Sequence, residues 1–162
     1  MKKQTTKSSL PSPEDIHRVT LSNGITVLAR SSFNTPSISM GGYLPAGSIF
    51  ESDEKLGLAD FVSSSLMRGT QTRTFDAIYN ELESVGASMG FDSGVHNISF
   101  GGRALVEDFP LLLKLLSESL QAPTFPKSEV EKLRVHMLTG LALREQDTSD
   151  MAAMAFDRML FE

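Results

Sequence analysis

The sequence of 162 residues has no cysteine and no tryptophan, and it has only three histidines. Without cysteine the chain has neither disulfides nor thiolate metal ligands, which favours a reducing compartment and leads us to expect a cytoplasmic protein. No stretch approaches the roughly 20 consecutive apolar residues of a membrane-spanning helix. Positive charge is scarce as well, because 15 Lys and Arg stand against 20 Asp and Glu, for a net charge of −5. We therefore expect no nucleic-acid partner, since phosphate would be repelled.

Apolar residues make up 40% of the sequence, which is enough for a hydrophobic core. A chain of this length buries roughly 70% of its extended surface on folding. The N-terminal segment 1–17 opens on a Lys-, Ser- and Thr-rich stretch without the apolar region of a secretory signal, so we predict a flexible tail. Residues 18–162 are predicted to hold the folded domain.

Apolar spacing and turn residues predict the elements of this domain. In chain order they are a hairpin over 19–30 around Ser22-Asn23-Gly24, a strand over 37–51 with a break at Pro45, helices over 57–70 and 75–85, strands over 88–92 and 95–105, and helices over 106–121, 128–144 and from 147 onward. The order β-β-α-α-β-β-α-α predicts an α+β fold, an antiparallel sheet with helices packed on one face.

The predicted helix over 57–70, with the sequence GLADFVSSSLMRGT, gathers polar residues on one side. Asp60, Ser63 and Ser64 stand at i, i+3 and i+4, so a helix turns all three the same way, while the apolar residues face the other side. Catalytic zinc needs about three ligands drawn from His, Cys and carboxylates, together with an open position for water. Because Asp60 offers one ligand and serine hydroxyls are poor ones, the segment predicts no metal site.

The same segment resembles the zinc-binding helix of the pitrilysin/insulinase-type metallopeptidases, the group that includes the mitochondrial processing peptidases. Their motif reads His-x-x-Glu-His between Gly-Leu-Ala and Gly-Thr. By this resemblance the first ligand His falls on Asp60, the general-base Glu on Ser63 and the second ligand His on Ser64. The distal ligand Glu falls on or near Gly140. The resemblance thus implies a peptidase-like helix whose catalytic positions are degenerate.

Short segments elsewhere in the chain extend the resemblance in the same order along the sequence. They are Leu21-Ser-Asn-Gly-Ile-Thr-Val, Gly47-Ser48, Leu82-Glu-Ser-Val-Gly-Ala and Pro123-Thr-Phe-Pro. Together they imply that residues 18–162 are most of the N-terminal peptidase-like domain, a fragment of a longer chain.

The function that the resemblance implies is that of a non-catalytic homologue of a zinc metallopeptidase. Such a chain forms half of a peptide-processing chamber, as a dimer with a ligand-bearing homologous peptidase subunit, and meets the peptide substrate there. No cofactor is expected in this chain, since zinc would be held only by the partner subunit. Arg68 and Arg73 are the peptide-binding candidates, because in the family this connection lies near the substrate chamber and arginine binds carboxylates bidentately.

Two alternatives stay open. One is a structural or scaffold subunit of a larger complex. The other is an active metalloendopeptidase with an unrecognised ligand set, for which the histidines His17, His96 and His136 lie in separate predicted elements without the i, i+4 spacing of a ligand pair. The carboxylates Glu81 and Glu83 are expected on a solvated helix face rather than in a catalytic pair.

Overall fold

A computed structural model describes residues 12–31 and 35–161 of the chain. Its strands are β1 (His17–Thr20), β2 (Thr26–Ala29), β3 (Ser37–Leu44), β4 (Ser88–Ser93) and β5 (Ile98–Leu105). Its helices are α1 (Leu58–Ser65), α2 (Phe75–Ser84), α3 (Phe109–Gln121), α4 (Lys127–Arg144) and α5 (Thr148–Phe161). The chain divides into two compact units, one up to Pro36 and one from Ser37 onward.

The first unit contains the hairpin that the sequence predicts. β1 and β2 pair antiparallel with Thr20 opposite Thr26, and the turn is closed by the Leu21 amide, which donates to the Ile25 carbonyl at 2.8 Å. Residues 1–11 of the predicted tail lie outside the described residues. The rest of that segment contains a 3-10 helix, Pro13–Asp15, and the first residue of β1, His17.

The second unit contains a three-stranded antiparallel sheet in the order β3-β5-β4. Met40 and Gly102 share one row of this sheet, and a Cβ at Gly102 would lie 3.3 Å from Leu112 of α3, so the helices cover this face. In the neighbouring row Ser39 and Arg103 point the other way and are exposed. The prediction of an α+β fold with helices on one face of an antiparallel sheet is confirmed.

Nine buried residues from both layers form the core of this unit. They are Leu66, Met67, Ile78, Leu82, Phe91, Ile98, Ala104, Leu112 and Leu115. α2 and α3, together with Leu66 and Met67 directly after α1, are thus stabilised by packing in this core rather than by helix propensity alone.

The predicted strand over 37–51 is wrong beyond Leu44. β3 ends one residue before Pro45, which has no N–H for the ladder. The chain then forms a 3-10 helix, Ser48–Phe50, whose Ser48 and Ile49 amides donate to carbonyls of the β4–β5 connection at 3.1 and 2.9 Å. Gly47 makes this close approach possible, because a Cβ there would lie 2.4 Å from the Val95 carbonyl oxygen.

Two helices also differ from their predictions. α1 ends at Ser65 rather than near residue 70, since the chain turns toward Gly69, whose φ of +153° favours glycine. Residues 106–108 form a 3-10 helix before α3 begins. In α4, Leu133 is the buried residue, while Leu138 and Leu141 are about half exposed.

Candidate functional site

The N-terminus of α1 is held by a side chain from the preceding loop. The first amides of a helix have no partner within the helix. Here the Glu51 carboxylate accepts from the Gly57 amide at 2.8 Å and from the Ala59 amide at 2.6 Å. Gly57 itself has φ +88° and no side chain that could serve as a cap. A carboxylate at this end of a helix also interacts favourably with its dipole, so Glu51 fixes where α1 begins.

The polar stripe of α1 lies at the boundary between core and solvent. Asp60 is exposed, and its Oδ1 accepts a long hydrogen bond from Ser93 Oγ of β4, at 3.4 Å. Ser63 is only 2% exposed, and its hydroxyl donates to the Asp60 carbonyl oxygen of its own helix at 2.9 Å. Ser64 is half-buried. The structure therefore uses these positions for helix packing and local hydrogen bonding.

Gly140, the fourth predicted position, lies in the exposed part of α4. A Cβ added there would meet no atom within 4 Å. The position therefore has room for a side chain, but glycine supplies no metal ligand.

The residues at these four positions do not fit a zinc ion. Asp60 alone is a ligand type that zinc uses, and zinc needs about three protein ligands. Within residues 12–31 and 35–161, no group of three or more His, Cys, Asp or Glu is placed to hold a metal ion. That search includes His17, His96 and His136, the three histidines of the alternative ligand set.

Arg73, in the loop between α1 and α2, is held by two carboxylates. Its Nε and Nη2 donate to both oxygens of Glu81 at 2.8 and 3.1 Å. Its Nη1 donates to both oxygens of Glu118 in α3 at 2.7 and 2.6 Å. The side chain is 12% exposed. Glu81, expected on a solvated helix face, has a side chain that is 39% exposed, and it is also a partner of Arg73.

These contacts keep the cluster charged. The pKa of Arg73 is raised above its ordinary value, first by the hydrogen bond to Glu81 and then by the one to Glu118. The pKa of Glu118 is lowered, first by the Thr72 hydroxyl, which donates to it at 2.7 Å, and also by Arg73. Because every N–H of a guanidinium points in a fixed direction, such a cluster fixes the α1–α2 loop against α2 and α3.

Thr70 also belongs to the hydrogen-bonded cluster around Arg73. It is 6% exposed, and its hydroxyl oxygen accepts from the Arg73 amide at 3.1 Å. Its own amide donates to the Arg73 carbonyl at 2.8 Å, which closes the loop. Sequence reasoning missed Glu51, Thr70 and Glu118 as members of this region. Glu51 contacts Ala59, eight residues away, and Glu118 contacts Thr70 and Arg73, which lie 48 and 45 residues away, so no local periodicity indicates these contacts.

Arg68 lies between the end of α1 and the start of α4. Its Nε donates to the Ser64 carbonyl at 3.3 Å, and its guanidinium carbon lies 5.4 Å from the centroid of the Phe75 ring. The distance from Nη1 to the nearest Glu129 carboxylate oxygen is 3.7 Å, too long for a hydrogen bond. The side chain is 20% exposed and lines a cleft of about 410 Å³ between residues 68–76 and 124–129.

Comparisons with known proteins show the family to which this chain belongs and a solved structure that shares its fold. A sequence model described as "Insulinase (Peptidase family M16)" matches residues 26–159. The chain is 33% identical over 129 residues to cytochrome b-c1 complex subunit 1, mitochondrial, of Bos taurus, covering 80% of this chain and 26% of that protein. It is 32% identical over 142 residues to mitochondrial-processing peptidase subunit beta of Neurospora crassa, covering 86% of this chain and 29% of that protein.

The fold is shared with a solved structure, a peptidase M16 inactive domain from Pseudomonas fluorescens. The TM-score is 0.79 at 23% identity, over 87% of this chain and 34% of the other. The chain spans less than a third of the length of each of the two curated relatives named above. Among the described residues, no helix has the length and apolarity needed to cross a bilayer.

Proposed function

We propose a function for this chain from one premise: it belongs to the insulinase family of peptidases, family M16. The chain is a non-catalytic member of that family. It forms half of a peptide-processing chamber, as a dimer with a homologous subunit that carries the zinc ligands and the general base. The resemblance to pitrilysin/insulinase-type peptidases, seen in the residues around α1, is confirmed at the level of the family.

The observation that carries the proposal is the state of α1. The helix is capped by Glu51 and lies against β4 of the sheet. Yet Ser63, at the general-base position of the family motif, has a buried hydroxyl bonded to the helix backbone. A hydroxyl so placed cannot take a proton from a metal-bound water, a step that needs a carboxylate or an equivalent base.

The partner is inferred from the relatives. Two of the proteins that this chain resembles are named as subunits, one of a mitochondrial processing peptidase and one of a cytochrome b-c1 complex. A subunit that lacks its own catalytic groups requires another chain to supply them if peptide is to be cut. The compartment we propose is the cytoplasm, on the ground of the cysteine-free sequence.

A second candidate function is that of a structural subunit that takes no part in peptide processing. The similarity to cytochrome b-c1 complex subunit 1 favours it. The two functions differ in one measurable respect, since only a chamber half changes the rate at which a catalytic partner cleaves peptide.

The test is co-assembly with a homologue that has an intact His-x-x-Glu-His motif, taken from the same genome. We expect a stable one-to-one complex by light scattering and a rate of peptide cleavage well above that of the partner alone. The control adds an unrelated folded protein at the same concentration in place of this chain and should give no gain in cleavage. A complex with no gain in cleavage would favour the structural subunit, and chelator-sensitive cleavage by this chain alone would overturn the proposal.

A further inference from the structure

The two arginines of the α1–α2 connection differ in how fully their hydrogen-bond donors are used. Arg73 donates from all three of its guanidinium nitrogens to Glu81 and Glu118. Arg68 donates only from Nε, to the Ser64 carbonyl. Within residues 12–31 and 35–161, neither Nη of Arg68 has an acceptor at hydrogen-bond distance. The Arg68 side chain is 20% exposed, so its unused Nη donors are available to a ligand that supplies acceptors.

The cleft in front of Arg68 has features suited to such a ligand. Two helices begin at its wall, since Phe75 and Asp76 are the first two residues of α2, and Ser128 and Glu129 are the second and third residues of α4. α4 has no side-chain cap, since its N-cap residue is Pro126. Uncapped amides of an 18-residue helix and the helix dipole add to the positive charge of Arg68. At about 410 Å³ the cleft falls within the usual range for small-ligand sites.

We propose that this cleft binds a peptide carboxylate, with the Nη pair of Arg68 as its bidentate partner. Phe75, which lies under the guanidinium, fixes the plane of the fork. The carboxylate comes from an acidic side chain or from a free C-terminus. This inference rests on the proposed function for the peptide nature of the ligand, and it assigns the peptide-binding role to Arg68 rather than to Arg73.

The charges that line the cleft select against more highly charged anions. Asp76 and Glu129 also line it. Glu129 accepts from Lys132 at 2.7 Å through one carboxylate oxygen, and its other oxygen lies 3.7 Å from Arg68 Nη1, an ion pair without a hydrogen bond. One negative charge can be accommodated next to these two carboxylates, whereas a phosphate dianion meets stronger repulsion. Glu129 is therefore a competitor of the ligand for Arg68.

The experiment is an NMR titration of the chain in a buffer without carboxylate or phosphate. It follows the Arg68 side-chain Nε signal and the backbone amides of residues 126–129. The probes are acetyl-Leu-Ala-Ala with a free C-terminus, acetyl-Leu-Glu-Ala amide, the neutral acetyl-Leu-Gln-Ala amide, and inorganic phosphate. We expect saturable shifts with at least one of the two carboxylate peptides and none with the neutral peptide. The carboxylate peptide that binds shows whether the cleft takes a free C-terminus or an acidic side chain. Equal binding of the neutral peptide, tighter binding of phosphate, or no binding of either carboxylate peptide would overturn the proposal.

Variants separate a binding role from a structural one. Arg68→Gln should weaken carboxylate binding about tenfold or more, and Arg68→Lys should weaken it too, because an ammonium lacks the fork. Glu129→Gln should tighten binding several-fold, which a purely structural Arg68 would not do. Arg134→Gln, which removes an exposed arginine paired with Glu131, is the matched control and should leave binding unchanged. Unchanged binding in folded Arg68→Gln would overturn the proposal.

The two proposals can fail separately. If carboxylate peptides bind through Arg68 but the chain does not accelerate cleavage by a partner, the chamber function fails and the site stands. If the chain accelerates cleavage and Arg68→Gln binds carboxylate peptides as well as the wild type does, the site fails and the chamber function stands.

Discussion

Glu118→Gln tests whether the Arg73 cluster holds the α1–α2 loop in place. The substitution keeps the shape of the side chain and removes the negative charge to which Arg73 Nη1 donates at 2.6 and 2.7 Å. It also weakens the acceptor of the Thr72 hydroxyl. Hydrogen bonds to charged groups contribute about 1.5–3 kcal/mol each, and Arg73 keeps its two bonds to Glu81. We therefore expect the free energy of unfolding to fall by about 2 kcal/mol.

Urea unfolding measures this loss. With a slope near 2 kcal/mol per molar, typical of a small domain, the midpoint should fall by about 1 M at pH 7 with the slope unchanged. The control is Glu107→Gln, which alters an exposed glutamate and should stay within about 0.5 kcal/mol of the wild type. Equal midpoints for the two variants would refute the stabilising role of the cluster.

The pH dependence of the same difference provides a second check. The pKa of Glu118 is lowered in the folded state, so its contribution is fully present above the unfolded glutamate pKa of about 4.3. The contribution is lost as the pH falls through the lower, folded pKa. The gap between wild type and Glu118→Gln should thus be constant above about pH 5 and shrink in more acidic solution. A gap that persists unchanged to pH 2 would show that the carboxylate charge is not its cause.

Three further predictions concern α1 and α4. Glu51→Ala removes both acceptors at the N-terminus of α1 and should lower the free energy of unfolding by about 1–2 kcal/mol, whereas unfolding at the wild-type midpoint would show that the cap is not needed. Gly140→Ala should increase the free energy of unfolding by up to about 1 kcal/mol and thus raise the thermal midpoint, because the position is helical and exposed and has room for a Cβ. A lowered midpoint would contradict this. The combined variant Asp60→His, Ser63→Glu, Ser64→His and Gly140→Glu should be less stable without metal, since Ser63 is 2% exposed, and zinc should recover part of that stability without efficient turnover by this chain alone. Efficient cleavage by that variant would contradict the need for a second subunit.

The sequence predicts best those elements whose cause is local. The hairpin follows from Asn23-Gly24, and the end of α2 follows from Gly86, whose φ of +62° is the conformation that closes a helix. The cap of α5 is local too, because Asp147 accepts from the Ser149 and Asp150 amides at 2.8 and 3.1 Å. In each case one residue with special backbone or hydrogen-bond chemistry decides the structure within four positions.

The parts that the sequence did not predict depend on contacts between distant segments. Residues 45–51 leave the sheet at Pro45, and the Ser48 and Ile49 amides pair with the β4–β5 connection. Arg73 was predicted as a ligand-binding residue, and its contact with Glu118 joins residues 45 positions apart, which no periodicity indicates. The identities of residues 60, 63 and 64 show from the sequence that zinc ligands are lacking at 63 and 64, but the burial of Ser63 required the structure.

The most direct test of the account is a zinc measurement on the purified chain. We predict no tight binding in a calorimetric titration with zinc at neutral pH, and no peptide hydrolysis that a chelator abolishes. One equivalent of tightly bound zinc that is lost in Asp60→Ala, together with chelator-sensitive hydrolysis, would contradict the claim that this family member is not itself a peptidase.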